Sequence, residues 1–201
     1  MRVIAGCYRG QRLQAPDGLN TRPILDRVKV SLFDWLGARL AMPGSLPPLR
    51  VLDLFCGGGS LGIEALSRGV AACTFVETDR DAFECLRKNL DQLGVGPAAR
   101  AIRCPAETVT VSPASGRGFD LIFLDPPYSL SEDLAPGSTM SQVLARLGSR
   151  IPVDPEALVI WRHDTAWSVP GDLPNGWRSS ERRMWSKMAI TLLERAPQGS
   201  P

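Results

Sequence analysis

Apolar residues fall along this chain in short runs, and the order of those runs sketches a fold. Val51-Leu-Asp-Leu-Phe55, Cys73-Thr-Phe-Val-Glu77, Arg100 to Arg103, Phe119 to Leu124 and Ala157 to Trp161 are each four to six residues long. Runs that short, rich in β-branched and aromatic residues, read as buried strands. Helical spacing separates them: Leu61 to Arg68 closes at Gly69, and the amphipathic stretch Arg80 to Leu93 closes at Gly94. Strands alternating with helices imply parallel crossovers, so the expected architecture is α/β with a doubly wound, mostly parallel sheet. The tail breaks the alternation. Trp177 to Trp185 and Met188 to Leu193 read as two strands joined by a short turn, a hairpin closing the sheet.

The beginning of the chain has a different pattern. Arg2-Val-Ile-Ala5 and Gln11-Arg-Leu-Gln14 flank Gly6, Tyr8 and Gly10, which predicts a short β-hairpin or a pair of irregular strands. Near Pro23 begins a helix-period set, Leu25, Val28, Leu32, Phe33, Trp35, Leu36 and Leu40, which stops in the hinge-like Met42-Pro-Gly-Ser-Leu-Pro-Pro48. The division expected is an N-terminal extension over residues 1–45, a main domain over 46–195, and a disordered tail over 196–201.

At 201 residues, with 44% hydrophobic and 22% charged positions, the chain has the composition of an ordinary soluble globular protein. It holds no apolar run long enough to cross a bilayer and no signal-like block near Met1, so the cytoplasm is the expected compartment. Five cysteines without a C-x-x-C pair, and His163 as the single histidine, argue against a zinc site or a disulfide framework. No metal is expected, and Cys56 and His163 read as packing residues. The net charge of +2 hides an asymmetry. Residues 1–50 carry eight basic side chains against three acidic ones, a local excess of +5, and the remainder stands at −3. A basic arm on a mildly acidic body predicts a nucleic-acid footprint carried by Arg2, Arg9, Arg12, Arg22 and Arg27. A second basic group, Arg178, Arg182, Arg183 and Lys187, is equally compatible with solvated surface charge.

Gly57-Gly-Gly-Ser-Leu-Gly62 satisfies G-x-G-x-x-G, a pattern shared with dinucleotide enzymes. Asp53, four residues earlier on the strand, changes its meaning. A carboxylate there would repel a pyrophosphate but suits the cationic amino end of a methionine moiety, so charge favours S-adenosylmethionine as cofactor. The expected cofactor contacts are Asp53, Phe55, Gly57 and Gly59. Glu77 at the end of the second strand would accept the ribose hydroxyls, with Asp79 as the competing choice. Pro105 and Ala106 fall where a loop would line an adenine ring.

Asp125-Pro126-Pro127-Tyr128 follows directly on the fourth strand. The exocyclic amine of a nucleobase has its lone pair delocalised into the ring, so acceptors for its two N–H bonds orient it and favour the charge that develops on attack. Asp125 supplies a carboxylate and Pro126 a carbonyl. Pro126 and Pro127 fix φ and donate no N–H, and Tyr128 offers a flat face worth about 1–3 kcal/mol in base stacking. The stretch Ser129 to Thr139, small and polar, reads as a loop able to close over the site.

Taken together these segments resemble the RsmD family of bacterial methyltransferases, and the match runs almost end to end. It includes Arg2-Val-Ile-Ala-Gly6, Arg9-Gly-Gln-Arg-Leu13, Arg22-Pro-Ile-Leu-Asp26-Arg27-Val28, Asp53 to Gly69 and Asp125-Pro-Pro-Tyr128. The resemblance implies a class I S-adenosylmethionine-dependent methyltransferase fold, Rossmann-like, with seven strands and the last antiparallel. It also implies an extension that contacts RNA and, as substrate, the N2 amine of one guanine in 16S ribosomal RNA of the small subunit. Separately from the resemblance, a monomer is expected. The chain departs from the family pattern at Ile24, where Thr is usual, and at Val30, where Glu is usual. The four residues from Asp125 would hold adenine N6 as well as guanine N2. An N6-adenine DNA methyltransferase and a non-catalytic RNA-binding assembly factor therefore stand as alternatives.

Overall fold

A computed structural model describes residues 1–16, 24–113 and 116–195. Among them is a seven-stranded sheet in the order β3-β2-β1-β4-β5-β7-β6. Its strands are β1 (Arg50–Leu54), β2 (Ala72–Glu77), β3 (Ala99–Arg103), β4 (Phe119–Leu124), β5 (Val153–Asp164), β6 (Trp177–Trp185) and β7 (Met188–Arg195). The first five pair in parallel, while β7 runs antiparallel to both β5 and β6. The doubly wound sheet with an antiparallel last strand is thus observed. The chain order reverses between β1 and β4, the position at which open α/β sheets form their ligand crevice.

The sheet's two faces carry separate cores, because successive strand residues point opposite ways. Val51, Leu121, Phe123 and Ile160 face one side, packed by α1 (Asp26–Arg39), α2 (Ser60–Ser67) and α3 (Arg80–Leu93). Leu52, Leu54, Ile122 and Leu124 face the other, against Met140, Val143 and Leu144 of α5 (Thr139–Arg146). No helix among the described residues is long and apolar enough to cross a membrane.

Several expectations change in detail. The loop expected over Ser129 to Thr139 is interrupted by α4 (Tyr128–Ser131) and reaches the first turn of α5, which was not anticipated. Strand β5 begins at Val153 instead of near Ala157, ahead of Pro155 and the polar Glu156. At the N-terminus the two stretches expected as a short hairpin or a pair of irregular strands meet in an isolated antiparallel bridge, Arg2 with Arg12, the irregular of the two forms. The segment also shares the main core: Val3, Leu13, Ile24 and Val28 are buried together with Val51 and Ile63. The tail 196–201 and Arg22 lie outside the described residues.

The extension is fixed to α2 by charge as well as packing. Glu64, fully buried, accepts the N–H of Ile4 at 2.8 Å and of Ala5 at 3.0 Å, and the Arg68 Nε at 2.9 Å. Lys29 Nζ lies 3.6 Å from the same carboxylate and donates to the Arg2 carbonyl at 2.6 Å and to Ser60 Oγ at 3.3 Å. Burial lowers the Lys29 pKa, with the Glu64 charge opposing it. At Gly6, φ +82°, an added Cβ would stand 1.7 Å from the Ser67 carbonyl oxygen, so only glycine lets the arm lie this close to α2.

Candidate active site

The turn from β1 into α2 is held in conformations that few residues adopt. Phe55 has φ +60°, Gly57 +53° and Gly59 +87°, and Gly59 is the N-cap of α2. A non-glycine residue at positive φ costs free energy that the surroundings must offset, and such residues gather at ligand sites. A Cβ on Gly59 would stand 2.5 Å from Leu86 Cδ1, and one on Gly62 would stand 2.3 Å from the Phe75 ring. These two glycines therefore allow close packing. Gly57 has open space where a Cβ would be, and it borders a cavity.

Two carboxylates organise this turn. Glu77 Oε2 accepts the Gly57 N–H and its Oε1 accepts the N–H groups of Thr78 and Asp79, all at 2.8 Å. Oε1 is thereby filled, while Oε2, with one bond accepted, keeps a second lone pair for a ligand hydroxyl. Asp79 is committed to capping α3 through Ala82 N at 2.8 Å, although it too borders the cavity. Asp53, 1% exposed, accepts the Gly62 N–H on Oδ2 at 2.9 Å. Its Oδ1 is buried without a hydrogen-bond partner among the described residues. Burial raises the Asp53 pKa to about 8, the charges of Asp125 and Glu77 add to the rise, and the Gly62 hydrogen bond opposes it.

That value has a consequence for stability. An unfolded Asp titrates near about 3.9. Between that pH and about 8 the folded chain binds the proton more tightly than the unfolded one, so this group's contribution falls as pH rises through the window. Asp53→Asn is expected to flatten the decline and to gain stability over the wild type at pH 8, read from urea midpoints at several pH values. Equal slopes in the two proteins would refute the assignment.

Asp125 directly follows β4 and ion-pairs through Oδ1 with Nε of Arg162 on β5. Burial raises the Asp125 pKa and the Arg162 charge opposes the rise. Pro127 is the N-cap of α4, its carbonyl taken by the N–H groups of Leu130 and Ser131 at 2.9 and 3.0 Å. The Tyr128 ring lies against the Arg162 guanidinium, 5.9 Å from its centroid. Ser131 Oγ donates to the Arg162 carbonyl at 3.2 Å and accepts from Trp161 Nε1 at 3.1 Å, which ties α4 to β5.

One cavity of about 360 Å³ joins both halves. Of the residues expected from sequence, Phe55, Gly57, Glu77, Pro105, Asp125 and Pro127 border it. Asp53, Gly59, Ala106, Pro126 and Tyr128, also expected, do not line it. Arg162, Ser60 and Glu107 also border it and were not foreseen, while Thr139 belongs to the stretch expected to close over the site. Arg162 had a legible signal, a cation directly after the apolar run that ends at Trp161. A larger cavity of about 700 Å³ opens at the opposite ends of the strands, among Leu49, Ala72 and Phe119. Its Arg50 is already paired with Asp120, and ligands of open α/β sheets bind at the carboxyl ends.

The basic arm is smaller than its formal charge. Lys29 is buried, Arg2 pairs with Asp26 at 2.8 Å, and Arg39 pairs with Glu181 and Glu194. Arg9, Arg12 and Arg27 are exposed. In the C-terminal group, Arg182 donates to the Thr165 and Trp167 carbonyls at 2.8 Å, and Arg183 stacks 4.5 Å from the Trp35 ring centroid.

The sheet order, the antiparallel β7 and the glycine turn facing an acidic β2 terminus together define the class I methyltransferase fold. Solved structures agree: yhhF of Escherichia coli, a proposed methyltransferase, superposes with a TM-score of 0.78 at 31% identity over 98% of this chain and 99% of that one. The hypothetical protein TTHA0928 of Thermus thermophilus gives 0.72 at 30% identity over 96% and 99%. Ribosomal RNA small subunit methyltransferase D of Escherichia coli is 30% identical over 199 residues, 99% of this chain and 92% of that protein. YlbH of Bacillus subtilis, a proposed rRNA methyltransferase, is 36% identical over 177 residues, 86% and 89% of the two chains. Residues 1–194 match the family described as conserved hypothetical protein 95. The chain belongs to this family, that of the small-subunit methyltransferases D.

Proposed function

We propose that the chain methylates the exocyclic N2 amine of a guanine in 16S ribosomal RNA of the small subunit, with S-adenosylmethionine as donor. The observation that carries this reading is a single cavity bordered by both Glu77 and Asp125, one carboxylate beside the glycine turn and the other beside the proline turn. The donor fits the first half. Glu77 Oε2 has a lone pair for a ribose hydroxyl, Phe55 and Pro105 offer apolar walls, and Asp53 Oδ1, unpartnered among the described residues, lies where a cationic amino group would relieve it. When bound, this donor supplies an electrophilic methyl group on a sulfonium.

The chain's own residues then orient the acceptor. An unpaired or flipped guanine presents its amine to the Asp125 carboxylate and the Pro126 carbonyl, which accept its N–H bonds and hold the nitrogen for attack. Tyr128, placed at the first turn of α4, gives the base a face to stack on. No covalent enzyme intermediate is needed, and positioning accounts for most of the acceleration. Arg9, Arg12 and Arg27 give the RNA backbone its cations, while Arg22 keeps the same assignment outside the described residues.

The test uses the purified protein with labelled S-adenosylmethionine and, in parallel, small subunits, naked 16S RNA and DNA. N2-methylguanosine in the ribosomal arms is the expected product, identified by mass spectrometry of nucleosides. N6-methyladenine in the DNA arm would favour the adenine reading instead, and no transfer in any arm would favour a non-catalytic factor. Arg9→Ala with Arg12→Ala is expected to weaken RNA binding and to reduce the slope of log affinity against log salt by about 1–2, since each phosphate contact contributes roughly 0.7–0.9. An unchanged slope would move the RNA footprint elsewhere.

A further inference from the structure

Among the described residues Arg162 is the one guanidinium bordering the cavity, and the proposed reaction as stated gives it no role. It sits on β5 beside β4, its side chain 9% exposed, and grips the Asp125 carboxylate through Nε while its face meets the Tyr128 ring. Its backbone carbonyl is bound by Ser131 of α4, so one residue touches all three elements of the acceptor half. A structural ion pair would lie anywhere. This one joins the carboxylate and the aromatic ring assigned to the acceptor base.

We propose that Arg162 is a positioning residue for methyl transfer, holding the Asp125 carboxylate ionised and turned toward the acceptor amine and fixing the Tyr128 ring against which the base stacks. The inference rests on the reading of Asp125 as the amine acceptor. Physical chemistry requires some such partner. A carboxylate buried at the end of an apolar strand favours its neutral form, and a protonated Asp125 would donate a hydrogen bond where the amine needs an acceptor. Among the described residues the charged groups near it are few. Asp53 on β1 feels its charge and favours its neutrality, Glu77 on β2 borders the same cavity, Tyr128 is on α4, and Arg162 on β5 supplies the cation. Arginine suits the position better than lysine, because its planar fork fixes the carboxylate direction and its face stacks on an aromatic ring.

The experiment compares the wild type with Arg162→Met and Arg162→Lys in two measurements. The first titrates the Asp125 carboxyl carbon by NMR in protein labelled with 13C-aspartate, with Asp125→Asn giving the assignment. The second follows kcat and KM for methyl transfer to small subunits across pH. In Arg162→Met the Asp125 titration moves to higher pH, kcat at neutral pH falls by about 10- to 100-fold, and the acid limb of the kcat profile moves up in step. KM for S-adenosylmethionine stays within about twofold of the wild type. Arg162→Lys keeps the charge, so the titration and the acid limb stay near those of the wild type while kcat recovers only in part. An Asp125 titration unmoved by Arg162→Met overturns the inference, as does a moved titration with an unmoved acid limb. Wild-type protein that methylates no nucleic acid overturns the proposed function itself, and the inference with it, whatever the carboxyl titration shows.

Discussion

Asp125→Ala is expected to lower kcat by about 10²- to 10⁴-fold, the range seen when a positioned polar group is removed from a reacting centre. Binding of S-adenosylmethionine, measured by calorimetry, is expected to stay close to the wild-type value. The separation follows from placement: Asp125 follows β4 beside Arg162, whereas Glu77 and the Gly57 turn border the cavity from β2 and the start of α2. Alanine also leaves the Arg162 guanidinium beside a void, so part of any stability loss comes from a largely buried cation without its carboxylate. Asp125→Asn controls for this. It keeps the shape and one acceptor but removes the charge, and its kcat should lie between those of alanine and the wild type. Full activity in the alanine variant would end the proposed role of this carboxylate.

Glu64→Ala should destabilise the fold by about 3–5 kcal/mol, the cost of breaking a buried charge network from one side. It removes the acceptor of the Ile4 and Ala5 N–H groups and leaves Lys29 and Arg68 facing a cavity inside the protein. The expected readout is a lower urea midpoint with a similar slope, together with faster proteolysis within residues 1–16, whose docking depends on those bonds. Lys29→Met combined with Glu64→Met should be milder than the sum of its parts, because it leaves Arg68 alone without its carboxylate instead of both cations. A Glu64→Ala midpoint equal to that of the wild type would mean the arm is held by packing alone.

The alternating architecture was readable because β1, β2 and β4 are short apolar runs bounded by turn residues, and because Gly94 closes α3 where the periodicity ends. Helix α5 carried a usable signal, with Ser138 as N-cap and Met140, Val143, Leu144 and Leu147 at helical spacing, but the small polar residues before it masked its start. Other features are not local. Counting charge cannot reveal that Lys29 is buried against Glu64, thirty-five positions away, or that Arg39 is spent on β6 and β7. The glycine pattern located the turn. That Glu77 fastens the turn through Gly57 depends on the register of β1 against β2, which the chain encodes only through the whole sheet. The pairing of Asp125 with Arg162 has the same origin in the register of β4 against β5.

The strand order has a consequence for solubility. The sheet is open, and its two outer strands are β3 and β6. A free strand edge is a template for another chain, and long cationic side chains are a common guard against such pairing. Strand β3 carries exposed Arg100 and Arg103, and β6 carries exposed Arg178, Arg182 and Arg183. Both rims of the sheet are thus armed with the same charge, and two copies meeting rim to rim would bring arginine against arginine. The C-terminal basic group thus stands on an outer strand, where long cationic side chains disfavour pairing with a second sheet.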